Sequence, residues 1–489
     1  MFFLLLMIAF FYVFATFDDC VFPKMGKIEL SIKKGFPMFK RKIYDKLVKW
    51  KQEEKGHKAI LIEGARRIGK STVAEEFAKA NYKSYILIDF NQASPAIKKA
   101  FFDYGNDLES LFMILSVEYG TRLYPRESLI IFDEVQAFPR ARQMIKYLVQ
   151  DGRYDYIETG SLISIRENIK DITLPSEERS LRMYPMDFEE FAWAMGEEML
   201  IHYIRKCFDK KEPLIDALHK KAMFLLKQYV LVGGMPKAID SFIAHQKQFE
   251  PCEQEKRDIL ETYRDDIHKI DRSYRSKVLS IFDQIPAFLS QHEKRVRIQS
   301  LTNGEAGLEY EETFFWLADS MICNECFQCS DPNVGLSLHE KRNFIKCYMG
   351  DTGLLITHAF DESSENEFHY HKEMMNDKLS VNHGMFFENV VAQMLVANGH
   401  KLYFYTHYSA EKHRNDIEID FLLTTGSKVS QKLIPIEVKS SKSYKTTSLD
   451  SFCKIYKNRI DSACVIHPKN LSIREDGTLC LPVYMTFCL

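Results

Sequence analysis

The spacing of apolar residues changes several times along this 489-residue chain, and each change predicts an element. Residues 2–17 are an unbroken apolar run, short of the ~20 residues that span a bilayer comfortably. From Met38 the pattern becomes amphipathic and basic (MFKRKIYDKLVKWKQ), which predicts the first helix of a globular body. Residues 58–63 form a short β-branched run that predicts a buried strand. The following TVAEEFAKANY puts Val73, Phe77 and Ala80 on one helical face. Residues 128–132 and 154–158 predict two more buried strands. Residues 241–300 are charged at helical spacing, 311–320 predict an amphipathic helix, and 321–328 predict a strand. Further on, 384–397 predict a helix and 401–406, 418–423 and 434–439 predict strands. A helix over 448–456 and a closing strand over 462–467 complete an αβββαβ order.

Composition narrows the class. Hydrophobic residues make up 46% and charged residues 27%, as in a soluble protein with several cores. At ~150 residues per domain the length suggests about three domains. The 66 Lys plus Arg nearly cancel the 68 Asp plus Glu, so any nucleic-acid surface must be local. The 11 cysteines are too sparse for a disulfide scaffold, which fits a reducing compartment. Cys323, Cys326 and Cys329 have iron–sulfur spacing, but no fourth cysteine follows closely and 321–328 also reads as a strand, and the strand reading is preferred. The apolar start has neither a basic flank nor a clear cleavage site. It is read as lying upstream of a true start at Met38, with a membrane anchor and a degenerate export signal as alternatives. Dependence on ATP places the chain in the cytoplasm unless residues 2–17 attach it to a membrane.

The strongest chemistry lies at Gly64-Ala65-Arg66-Arg67-Ile68-Gly69-Lys70-Ser71, followed by Thr72, between a strand and a helix. Glycines at both ends let successive N–H groups turn toward an anion, and the helix N-terminus adds partial positive charge. Lys70 is expected on the β- and γ-phosphates of ATP and Ser71 on Mg²⁺. Asp133 and Glu134 end the second strand, where Asp133 would hold the Mg²⁺ shell and Glu134 would polarise the attacking water. Thr159, at the end of the third strand, either senses the γ-phosphate or caps the next helix. Arg166, Arg179 and Arg182 are finger candidates with no spacing argument, and a surface arginine is the default for each.

Together GARRIGKS, IIFDEVQ, ETGS, LRMYPMDFEEF, YVLVGGMPKAI, YRDDIHKI and KCYMGDTGLL resemble the AAA-14 plus DUF4143 proteins, from about Met38 to the end. The resemblance implies an α/β architecture: a P-loop (AAA+-like) parallel sheet over 38–240, a helical and winged-helix region over 241–345, and a restriction-endonuclease-like domain over 346–489. Residues 1–37 stand apart as the apolar extension. Asp420 followed by Glu437-x-Lys439 is similar to the PD-(D/E)xK nuclease core. Alternate strand positions share a face, so Glu437 and Lys439 are expected in one site. Asp420 and Glu437 would share Mg²⁺, Glu388 would join from the helix, and Lys439 would activate water. The expected partners are ATP, with DNA or RNA and a second copy of the chain as further candidates. An inactive nuclease-like domain acting as a binding module under ATP control is the alternative.

Overall fold

In the computed structural model the described residues are 39–160, 176–270, 272–291, 294–297, 308–333, 335–360, 364–376, 383–409, 411, 413–425 and 432–489. The apolar run at 2–17, the start candidate Met38 and the finger candidate Arg166 lie outside them. The three predicted front strands lie side by side as β1 (Ala59–Glu63), β3 (Ser128–Asp133) and β4 (Asp155–Gly160). With β2 (Ser84–Asp89) and β5 (Glu178–Arg182) they make a parallel sheet in the order β2-β3-β4-β1-β5. Parallel strands need crossovers, and the helices Lys70–Asn81, Pro95–Asp103, Leu108–Glu118 and Pro139–Asp151 supply them.

Burial on both faces explains why these strands read as apolar runs without alternation. On one face Leu61, Ile88, Ile130 and Phe132 pack with Phe101, Phe112 and Leu148. On the other, Ile60, Ile62, Leu129 and Ile131 pack with Val73 and Phe77 in a core that continues into the back of the molecule. Asp133, Thr159 and the phosphate loop therefore emerge along one edge, at the C-terminal ends of adjacent strands, where open α/β sheets bind ligands.

Two further five-stranded sheets follow. One has the order β10-β9-β7-β8-β6, from β6 (Val296–Arg297), β7 (Cys323–Cys329), β8 (Glu340–Met349), β9 (Leu402–Ser409) and β10 (Arg414–Ile419). The other has the order β11-β12-β13-β15-β14, from β11 (Phe421–Thr425), β12 (Lys432–Val438), β13 (Cys464–His467), β14 (Ser472–Ile473) and β15 (Leu479–Pro482). The back half is thus α/β with sheets. The boundary expected at 345/346 falls inside β8, and β7 pairs in parallel with β9, so the second sheet joins strands from both expected regions. Hydrophobic periodicity shows where a strand lies but not which strand it will pair with.

The strand expected over 418–423 also divides. β10 ends at Ile419 and β11 begins at Phe421, in different sheets, with Asp420 at the break. One Asp420 carboxylate oxygen accepts a 2.8 Å hydrogen bond from the Val438 N–H. The three cysteines lie on β7 as the strand reading expected, and their odd spacing turns Cys326 away from the other two. Among the described residues no helix is long and apolar enough to cross a membrane.

Candidate nucleotide site and C-terminal cavity

Backbone shape makes the phosphate loop. A side-chain carbon on Gly64 would lie 2.4 Å from the Met183 carbonyl oxygen, so the loop passes here only as glycine. Gly69 (φ +90°) and Arg67 (φ +66°) turn it into the left-handed region just before the helix Lys70–Asn81. Lys70 is buried and donates to the carbonyls of Gly64 (3.0 Å) and Ala65 (2.9 Å). Burial lowers its ammonium to about 8, although Glu134 and Asp133 pull the other way. The Ser71 hydroxyl donates to Asp133 Oδ1 at 2.6 Å, and the Thr159 hydroxyl donates to the same oxygen. Thr159 also accepts from the Glu134 N–H at 3.3 Å. Glu134 itself sits at φ +51°, a backbone strain of about 1–3 kcal/mol that recurs where a side chain is aimed for function. Gln136 holds its carboxylate.

Two supports of this loop were not legible in the sequence. Buried Arg41 donates to the Ile68 carbonyl (2.8 Å) and the Tyr184 carbonyl (2.6 Å), and pairs with Glu190 at 3.2 Å. Arg66 pairs with Asp266 at 2.8 Å, on the helix Glu250–His268, so part of the loop's own charge is engaged by the middle of the chain. Among the finger candidates, Arg179 pairs with Glu54 at 2.6 Å, and Arg182 lines a separate cavity with Asp319 and His400.

Glu388, Asp420, Glu437 and Lys439 do meet, in the wall of a cavity of about 590 Å³ that Lys294, Glu418 and Ser440 also line. Lys346, on β8 and fully buried, lies 3.2 Å from Glu388, 3.5 Å from Glu418 and 3.6 Å from Asp420. Lys294 and the Tyr348 hydroxyl bond Glu388 as well. Burial alone would raise the Glu388 carboxyl, but Lys294 and Lys346 bring it down to about 2. Burial and then the charge of Glu388 push Asp420 up to about 6 against the pull of Lys346. Lys439 pairs with Glu437 Oε1 at 2.5 Å, while Glu437 Oε2 is buried with no hydrogen-bond partner.

Glu388, Asp420 and Glu437, the three residues expected to share a metal, line this one cavity. Among the described residues no three His, Cys, Asp or Glu side chains are grouped so as to hold a metal ion. Lys346 places its single ammonium among Glu388, Glu418 and Asp420. Sequence reading missed it because nothing near it in the chain marks it.

Three stretches match family models. Residues 56–192 match AAA_14, described as an AAA domain; 223–365 match DUF8612 and 383–485 match DUF4143, both domains of unknown function. Among curated proteins none matches this chain. The chain is similar to the Thermotoga maritima RuvB Holliday junction branch migration motor at 11% identity, covering 63% of this chain and 92% of that one, with a TM-score of 0.26. It is similar to C. elegans PCH-2 at 13% identity, covering 38% of this chain and 54% of that one, with a TM-score of 0.21. Scores this low carry no argument about the site. The AAA match spans the phosphate loop, Asp133, Glu134 and Thr159 on their parallel sheet, and residues 56–192 are a P-loop ATPase domain.

Proposed function

We propose that the chain is an ATP-controlled switch whose back half is a nucleic-acid-binding module. At the front, Lys70 exchanges its two carbonyl partners for phosphate oxygens, and Glu134 orients the attacking water. Ser71 and Asp133 present hard oxygen donors 2.6 Å apart, a fit for Mg²⁺, which when bound would neutralise charge on the β- and γ-phosphates. Thr159, on the same Asp133 oxygen, is placed to register what happens there.

The observation that carries the switch is a polar chain through Asp351. Gly69 of the phosphate loop faces Pro236, whose ring lies 3.8 Å from where a Gly69 side-chain carbon would stand. Two residues before Pro236, the Gly234 N–H donates to Asp351 at 2.5 Å. Gln393 donates to the same Asp351 oxygen at 3.0 Å, and its helix, His383–Ala397, carries Glu388 one and a half turns earlier. The link from Gly234 through Asp351 to Gln393 is hydrogen-bonded, and its Pro236 end stands beside Gly69 of the loop.

For an anion's backbone the cavity offers Lys445 with Ser440 and Ser441, beside Lys294 and Lys439, which pair with Glu388 and Glu437. Lys346 lies among Glu388, Glu418 and Asp420. A second reading, metal-dependent cleavage, is favoured by one observation, the unpartnered Glu437 Oε2. The test measures nucleic-acid affinity with and without ATP in the wild type and in Asp351→Asn, beside ATPase rate. The expectation is an ATP effect of about fivefold or more that Asp351→Asn abolishes while hydrolysis continues. Equal affinity with and without ATP would refute the switch. Strand cleavage that requires Mn²⁺ or Mg²⁺ and Glu437 would favour the second reading.

A further inference from the structure

Beside that cavity lies a second one of about 520 Å³. The register places them together: Thr406 of β9 faces Glu418 of β10, and Arg295 follows Lys294 in the chain. Its wall combines two aromatic rings, two cations, the Thr406 hydroxyl and the amides of Gln328 and Asn415. Tyr408 is 59% exposed, and Phe344 lies under the Arg295 guanidinium, 5.4 Å from it. Lys341 is exposed at the rim.

The Gln328 amide is the informative group. Gln328 is 6% exposed and its Nε2 donates to the Thr406 hydroxyl oxygen at 2.8 Å. Arg295 donates to that same oxygen at 3.2 Å, so Thr406 serves as the acceptor for both. Gln328 Oε1 is left buried with no hydrogen-bond partner, in a cavity wall. Leaving a buried acceptor unmet costs about 1–3 kcal/mol unless a ligand supplies a donor. The donor must come with a flat, stackable body and a negative charge nearby, because the aromatic rings and cations surround it.

We propose that this groove binds single-stranded nucleic acid, stacking an unpaired base on Tyr408 and Phe344 while the exocyclic amino group of adenine or cytosine donates to Gln328 Oε1. Arg295 and Lys341 meet the phosphates, and the backbone continues past Lys294 into the neighbouring cavity. Bases in a duplex are stacked on each other and do not reach a cavity of this shape. Proteins that hold single strands combine aromatic platforms with cations in this way. The inference rests on the reading of the back half as a nucleic-acid module and adds the strand state and the base preference.

The test is fluorescence anisotropy of the full chain with homopolymers of dA, dC and dT about twelve nucleotides long, their RNA counterparts and a duplex control. The expected result is binding of dA and dC about tenfold tighter than dT, in the DNA or the RNA series, whichever sugar the groove accepts. Gln328→Met should erase that preference with dT affinity unchanged. Tyr408→Ala, at an exposed position, should weaken every homopolymer about tenfold with the ATPase rate unaltered. Failure to bind any nucleic acid would overturn the reading of the back half itself. Wild-type affinity in both variants would overturn the groove alone, as would equal affinity for the duplex or for dA, dC and dT.

Discussion

At the phosphate loop a buried lysine rests on two neutral carbonyls, while in the C-terminal cavity a buried lysine stands among three carboxylates. The first arrangement holds Lys70 weakly. Burial disfavours its charge, the carbonyls of Gly64 and Ala65 compensate in part, and an arriving phosphate offers a stronger partner. The second arrangement locks Lys346. Although burial works against its charge, Glu388, Asp420 and Glu418 raise its pKa well above the usual lysine range, and it is their internal countercharge. A lysine with neutral partners is free to bind an anionic ligand. One surrounded by acids already has its anionic partners.

Breaking the second arrangement should have the largest effect. Lys346→Met leaves Glu388 and Asp420 buried with less compensation, and losing one partner of a buried ion cluster costs about 3–5 kcal/mol. Chemical denaturation should show that loss, with partial recovery in Lys346→Met combined with Glu388→Gln. A stability unchanged by Lys346→Met would show that water reaches the carboxylates and that Lys346 is not their countercharge.

The first arrangement predicts a loss of rate rather than of stability. Lys70→Ala should lower ATP turnover by about 100–1,000-fold, the scale for losing a preorganised charged donor. Glu134→Gln should keep nucleotide binding while slowing hydrolysis comparably, because the water loses its orienting carboxylate. Turnover at the wild-type rate in Lys70→Ala would remove the phosphate-loop assignment.

The same contrast explains what was legible in the sequence. The nucleotide site is written in short segments: one strand, one loop and one helix start fall within consecutive residues, and the strands bearing Asp133 and Thr159 are apolar runs that can be read locally. The carboxylates of the cavity were legible for a similar reason, since Glu437 and Lys439 obey the two-residue period of a strand. Their neutralisation was not. Lys346 meets Glu388 across 42 positions, and Arg66 meets Asp266 across 200. Such pairs depend on which strands and helices become neighbours. The strand pairing around 345/346 was not legible either, because the pairing of β7 with β9 is a choice of partner rather than of pattern.

The pH dependence of nucleotide binding sharpens the comparison further. Lys70 titrates near 8 in the empty site, while a bound phosphate favours its ammonium. Below 8 the lysine is already charged and binding needs no proton. Between 8 and the ordinary lysine value near 10.4, binding must take one up, so affinity falls as pH rises. At pH 9 the fall should be about tenfold relative to pH 7. Calorimetry in buffers of different ionisation enthalpy should detect proton uptake at pH 9 and almost none at pH 7. For the empty protein the sign is opposite, because the unfolded chain holds the proton longer and stability should rise with pH through this window. Uptake at pH 7 equal to that at pH 9 would contradict the picture of Lys70 as a lysine held by neutral partners.

The smallest expected effect concerns the link between the two regions. Arg66 and Asp266 are both partly exposed, with side chains 32% and 25% accessible, so their ion pair is worth at most about 1 kcal/mol. ATP competes for the same guanidinium, because its phosphates arrive at the loop that carries Arg66. Asp266→Asn keeps the side-chain size and removes the competitor's charge, so ATP affinity should increase by up to about fivefold. Asp266 also holds Lys269 at 2.8 Å, and Lys269→Ala serves as the control that alters this neighbour while sparing the pair. Tyr263, whose hydroxyl lies 3.5 Å from the Arg66 carbonyl, keeps the helix on the loop in both variants, so the packing is preserved while the charge is removed. The increase should shrink at high salt, as screening weakens the native pair toward the variant's condition. An ATP affinity in Asp266→Asn equal to the wild type at low salt would mean that the helix Glu250–His268 touches the phosphate loop without competing for its charge.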